Sequence, residues 1–159
     1  MKPAAYQEIS NADITEQQLP GGGKVRVIAG KVTINQQPQQ GPLPELSTQP
    51  VFLDVQLATN ETIELSFNEQ NPALVYVYKG ATNSIASRQL GVYASGSTLQ
   101  IKAGPKGAEL LVLSGRPIKE PVVQYGPFVM NTREEIERAL TDFQSPQFLS
   151  SLTSNGKAG

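Results

Sequence analysis

The sequence contains no histidine, no cysteine and no tryptophan among its 159 residues. The first two absences exclude the most. Without imidazole, this chain has no His-ligated zinc, copper or non-haem iron of its own, and no Ser-His or Cys-His pair. Without thiol there is no disulfide, thiolate metal site or cysteine nucleophile. Surplus charge is missing as well: 13 Lys and Arg stand against 14 Asp and Glu, a formal net charge of -1. Nucleic-acid binding rewards a basic surplus through counterion release, so no nucleic-acid partner is expected. No run reaches the ~20 apolar residues of a membrane span. Residues Met1–Ser10 have no apolar stretch of signal-peptide length. The expectation is a soluble, cytoplasmic protein that engages neither nucleic acid nor membrane.

What is present points to strands. Glycine (14) and proline (12) are plentiful and hydrophobic residues make up 38%, which favours many short elements joined by turns. Residues 1–19 are polar and read as a linker-like arm. A domain follows over 20–148. In Lys24–Gly30, Val25, Val27 and Ala29 alternate with polar neighbours, the period of a half-buried strand. Lys31–Ile34 is a second short stretch. Asn35–Pro50 reads as a loop, because Pro38, Pro42 and Pro44 lack the donor a sheet ladder needs. Alternation returns over Val51–Leu57 and Thr62–Phe67. Ala73–Tyr78 is apolar on both faces, as in a strand covered on both sides. Lys79–Ser87 reads as a loop or hairpin. Arg88–Tyr93, Thr98–Lys102 and Glu109–Leu113 give three more strands, the last two separated by a turn at Gly104-Pro105-Lys106-Gly107. Turn signals every ~8–12 residues predict an all-β antiparallel sandwich or barrel.

One helix is predicted at about 133–143. Ile136, Ala139, Leu140 and Phe143 fall at i, i+3, i+4 and i+7. Thr132 and Glu135 have capping-box spacing. The helix needs an apolar surface to cover, either its own barrel or a neighbouring domain. Residues 149–159, rich in Ser, Gly and Asn, read as a flexible tail.

Few residues carry a chemical signal. Gly21-Gly22-Gly23-Lys24 precedes a strand and lacks the phosphate-loop spacing, so it reads as a plain loop. Asp54 and Glu64 lie on polar strand faces, and Glu61 and Glu69 in turns; all four read as solvated charge. Asn60-Glu61-Thr62 fits a glycosylation sequon and reads as incidental. Tyr76 and Tyr78 share one strand face. They line the mouth of a barrel pocket or pack at its core or rim. Arg116 and Lys119 flank Pro117 and form with Glu120 a charged cluster, which reads as structural rather than catalytic.

From Leu113 the chain reads Leu-Ser-Gly-Arg-Pro-Ile-Lys-Glu-Pro-Val-Val-Gln-Tyr-Gly-Pro-Phe-Val-Met-Asn-Thr. This run resembles the closing segment of the pirin family, double-barrel proteins of the cupin superfamily. Gly115, Arg116, Pro117, Glu120, Pro121, Tyr125, Gly126, Pro127, Phe128, Met130, Asn131 and Thr132 carry the likeness. Val25–Gly30 resembles the first strand of the second pirin barrel, and Pro3–Ile9 the linker entering it. The resemblance implies a cupin-type jelly-roll barrel with one C-terminal helix, the C-terminal half of a usual pirin. In that family a mononuclear iron is held by three histidines and a glutamate of the N-terminal barrel. Bacterial members are associated with quercetin dioxygenation and eukaryotic ones with transcriptional co-regulation. None of those ligand positions exists here, so no metal, cofactor or catalytic residue is expected in this chain. The prolines and glycines of the motif imply an extended exit segment that delivers the helix to a defined place.

Three functions follow as expectations. One is a metal-free structural and interaction module, paired with an N-terminal pirin-type barrel or with a second copy. Another is the non-catalytic half of a quercetin 2,3-dioxygenase assembled in trans. The last is a small-molecule binder in the jelly-roll interior near Tyr76 and Tyr78.

Overall fold

Alternating apolar residues need a common interior, and the computed structural model, which describes residues 8–43 and 46–145, supplies it. The chain forms β1 (Thr15–Gln18), β2 (Lys24–Ala29), β3 (Lys31–Ile34), β4 (Gln37–Gln40), β5 (Val51–Leu57) and β6 (Thr62–Ser66). Then come β7 (Ala73–Thr82), β8 (Gln89–Tyr93) and β9 (Leu99–Ser114). These nine strands make one antiparallel sheet folded on itself. One wall has the order β1-β2-β5-β9-β7-β8, the other β9-β6-β3-β4. The start of β9 pairs with β6 and its end with β5 and β7, so a single strand serves both walls.

The inward residues are those the alternation marks. Val25, Val27, Ile34, Leu53, Val55, Ile63, Leu65, Val75, Val77, Leu110 and Val112 are fully buried. Burying an aliphatic side chain of this size contributes roughly 1.5–3 kcal/mol. The interior is therefore a packed core. This is the all-β, cupin-type barrel that the sequence predicts.

Four local readings differ. Gln37–Gln40 forms a strand in spite of Pro38, which stands opposite Thr33. β4 is paired on one side only, so a residue without a donor is tolerated at this edge. Gly104–Gly107 is not a turn between separate strands but a bend inside β9. There Gly107 takes a φ of +75° and faces Gly80, whose φ is +72°. A Cβ on Gly80 would collide with the Gly107 carbonyl, so the crossing of β7 and β9 requires a residue without one. The loop reading of Lys79–Ser87 also shortens, because β7 continues to Thr82. There the Thr82 hydroxyl accepts the N–H of Ile85 at 2.8 Å. Within the stretch read as an arm, β1 pairs with β2; residues 1–7 lie outside the described part.

The barrel belongs to one compact unit ending at Pro117, and a second begins at Ile118. The second unit contains β10 (Val123–Tyr125), β11 (Phe128–Met130) and α1 (Arg133–Gln144). The exit segment is thus not simply extended. β10 and β11 form a hairpin closed by Gly126-Pro127. Gly126 has a φ of +55°, and Pro127 presets the next φ, the pairing a tight hairpin turn requires. The capping box of α1 is formed as read: Thr132 Oγ1 accepts from Glu135 N at 3.2 Å, and Glu135 Oε2 from Thr132 N at 3.0 Å. Phe128 and Phe143 meet edge to face, centroids 5.8 Å apart. The tail read over 149–159 lies outside the described residues.

Candidate functional site

Sheets of this kind bury one face and wet the other, yet the outer face of the β5–β9–β7–β8 wall is largely apolar. The register sets two rows across it. Val92, Leu74, Leu113 and Phe52 stand side by side in one. Leu90, Tyr76 and Leu111 form the other, continued by Asp54 and Arg26. Val92 is 73% exposed and Leu90 54%. Apolar surface this continuous marks an interface more often than a solvated wall.

Tyr76 and Tyr78 belong to this outer face. Their neighbours Val75 and Val77 fill the interior, so the two tyrosines line no interior pocket. Tyr76 lies within the apolar rows and is 36% exposed. Tyr78 borders them and donates its hydroxyl to Asp54 Oδ1 at 2.8 Å. Arg26 Nη1 stands 3.9 Å from the other oxygen of Asp54. Burial, reinforced by the Asp54 carboxylate, pushes the Tyr78 hydroxyl well above the usual tyrosine range. Lys79 pairs with Glu109 at 2.6 Å nearby. The apolar rows therefore carry charged pairs along one border.

The motif residues are divided between the two units. Arg116 donates its backbone N–H to Thr48 O at 2.8 Å and its guanidinium to Ser47 O, which fastens the loop before β5. In the second unit Asn131 Nδ2 donates to Pro121 O at 2.8 Å, and Asn131 N to Glu135 Oε2 at 3.0 Å. Tyr125 is exposed. These contacts are structural: none of the motif residues forms a nucleophile–base pair. Glu61, read as solvated charge, instead accepts three backbone N–H groups, from Gly21, Gly23 and Ala58. No local pattern announces that role, because two of its partners lie about 40 positions away.

The iron site implied by the resemblance does not fit this chain. It requires three histidines, and the sequence has none. Among the described residues no three carboxylate, histidine or cysteine side chains gather at one point. No helix among them is long and apolar enough to cross a membrane.

A folded antiparallel sheet with an aliphatic interior and one helix after its last barrel strand defines a cupin-class domain. Residues 52–149 match the model of the pirin C-terminal cupin domain, and the chain belongs to the pirin family. It is 38% identical over 151 residues to a Pseudomonas aeruginosa protein whose name assigns it, provisionally, to the quercetin 2,3-dioxygenases. That match covers 91% of this chain and 53% of the relative. A pirin-like protein of Caulobacter vibrioides is 32% identical, with 93% and 54% covered. Among solved structures, a quercetin 2,3-dioxygenase from Acinetobacter baumannii aligns with a TM-score of 0.79 at 30% identity. The alignment covers 93% of this chain and 52% of that one. The chain thus spans about half the length of the curated relatives it matches.

Proposed function

We propose that this chain is a metal-free pirin-type interaction module whose outer β5–β9–β7–β8 face docks an N-terminal pirin-type barrel. One observation carries the reading. Ala73–Tyr78 in β7 is apolar on both faces, as a doubly covered strand is, but of these residues the chain buries only Ala73, Val75 and Val77 and leaves Leu74 and Tyr76 exposed. The docked barrel would cover the other face. The half-length matches support a partner of that kind, since each relative is nearly twice as long as the stretch matched here. The charged pairs Arg26–Asp54 and Lys79–Glu109 suit the polar rim of such an interface.

The test mixes the purified chain with the N-terminal half of the Caulobacter pirin-like relative and measures mass by light scattering. A one-to-one complex is expected, and Val92→Glu with Leu90→Glu should abolish it. A homodimer of the chain alone, lost in the same variant, would assign the face to a second copy. A monomer under all conditions would overturn the reading.

A second reading rests on the likeness to the Acinetobacter quercetin 2,3-dioxygenase. Here the chain is the non-catalytic half of such an enzyme, and the partner brings the iron. Co-expression of the two halves should then give iron-dependent flavonol turnover that neither half shows alone. Assembly without turnover would leave only the module.

A further inference from the structure

The end of the barrel at Pro50 and Val51 holds a different feature. The β2–β3 corner, the end of β4, the start of β5 and the β6–β7 loop enclose a cavity of about 250 Å³. Its floor includes Asn71, only 3% exposed, and Val51. The Asn71 backbone N–H donates to Asn68 O, but its side-chain amide has no hydrogen-bond partner among the described residues. Its amide atoms are not sealed from solvent, so water serves them in the empty cavity and a ligand's hydroxyls would take that water's place. The rim carries Gln40, Gln49 and Asn68. Gln49 holds a left-handed φ of +47°, an uncommon backbone state for a residue with a side chain. In that state its Oε1 accepts from Asn68 Nδ2 at 3.1 Å and its N–H donates to Leu46 O at 2.9 Å. The two amides are therefore fixed at the cavity before any ligand arrives.

We infer that this cavity binds a small neutral polyhydroxylated molecule of about monosaccharide size, held by the Asn71, Asn68, Gln49 and Gln40 amides. Amides donate and accept at once, as hydroxyls do, so the two sets match in kind. Among the described lining residues there is no carboxylate to attract a cation. The lining cation, Lys31, has an interaction of its own. Leu43, Pro50 and Val51 offer the apolar wall against which ring carbons rest. At ~30 Å³ per water the space holds about eight waters, enough for one substituted ring and too little for a drug-sized ligand. This inference does not depend on the docking reading, because it uses none of the residues of the outer face.

The experiment is a titration of the isotope-labelled full chain with D-glucose and with myo-inositol, read from side-chain amide cross-peaks by NMR. Saturable shifts at Asn71 and Asn68 are expected, with millimolar affinity. Asn71→Leu, which makes the floor apolar, should weaken binding about tenfold or more. Gln49→Gly keeps the backbone state without strain and removes one amide; it serves as the second variant should Asn71→Leu fail to fold. No saturable shift with either probe at tens of millimolar would overturn the inference. So would undiminished shifts in the folded variants, or equal shifts with the succinate dianion.

Discussion

Glu61 Oε2 accepts the backbone N–H of Gly23 at 3.0 Å, tying the turn before β2 to the turn before β6. The same carboxylate takes Gly21 N at 2.7 Å and Ala58 N at 2.8 Å. Charge-assisted bonds of this kind are stronger than neutral ones, and removing the acceptor leaves three donors to find water. Glu61→Ala should destabilise the barrel by about 2 kcal/mol, lowering the thermal midpoint in circular dichroism by roughly 5–10 °C. Glu61→Gln, which keeps one of the acceptor oxygens, should fall between. An unchanged midpoint in Glu61→Ala would show that the turns hold without it.

Tyr78 makes stability sensitive to alkaline pH. Its hydroxyl ionises above the ordinary tyrosine value because burial and the Asp54 carboxylate disfavour phenolate. The folded pKa is raised, so the contribution is complete below about pH 10 and is lost as pH climbs past that value. Chemical denaturation of the wild type and Tyr78→Phe at pH 9 and pH 11 isolates it. The stability gap between the two proteins should narrow at the higher pH; a constant gap would remove Tyr78 as its source.

The crossing of β7 and β9 should not tolerate a side chain. Gly80→Val puts a branched Cβ into the Gly107 carbonyl, at a φ that L-residues avoid. A loss of about 2–3 kcal/mol or failure to fold is expected. Gly96, with open space around it, is the control, where alanine should change stability by less than about 0.5 kcal/mol.

The capping box acts on the second unit. Thr132→Ala should cost about 1 kcal/mol of helix stability. Hydrogen exchange should quicken over residues 133–137 while the amides of β5 and β9 keep their protection. Quickening throughout both units would show that they unfold together.

The barrel was legible wherever one face is buried by the chain's own strands. Val25, Val27, Leu53, Val55, Ile63 and Leu65 alternate because a period of two faces a single core. The helix was legible because Thr132 and Glu135 are neighbours in sequence as well as in space. Pro38 misled because its cost depends on whether β4 has one neighbour or two, which no local pattern reports. Gly104–Gly107 misled because a bend and a turn use the same residues. Asn71 gave no signal, since burial of an asparagine depends on which loops close over it. The outer apolar face was half visible: Ala73–Tyr78 read as covered on both sides, and the chain covers only one.

β9 is the last strand of the barrel to leave the ribosome, and it pairs with β5, β6 and β7 together. The β6 wall can close once Lys102 has emerged, but the other wall waits for Ser114, and until then β5 and β7 lack the neighbour between them. Closure is therefore a late event, slow for a chain this size because its pairings span long sequence distances. Nascent chains stalled inside β9 should be the species that chaperones hold and that aggregate when they are not held.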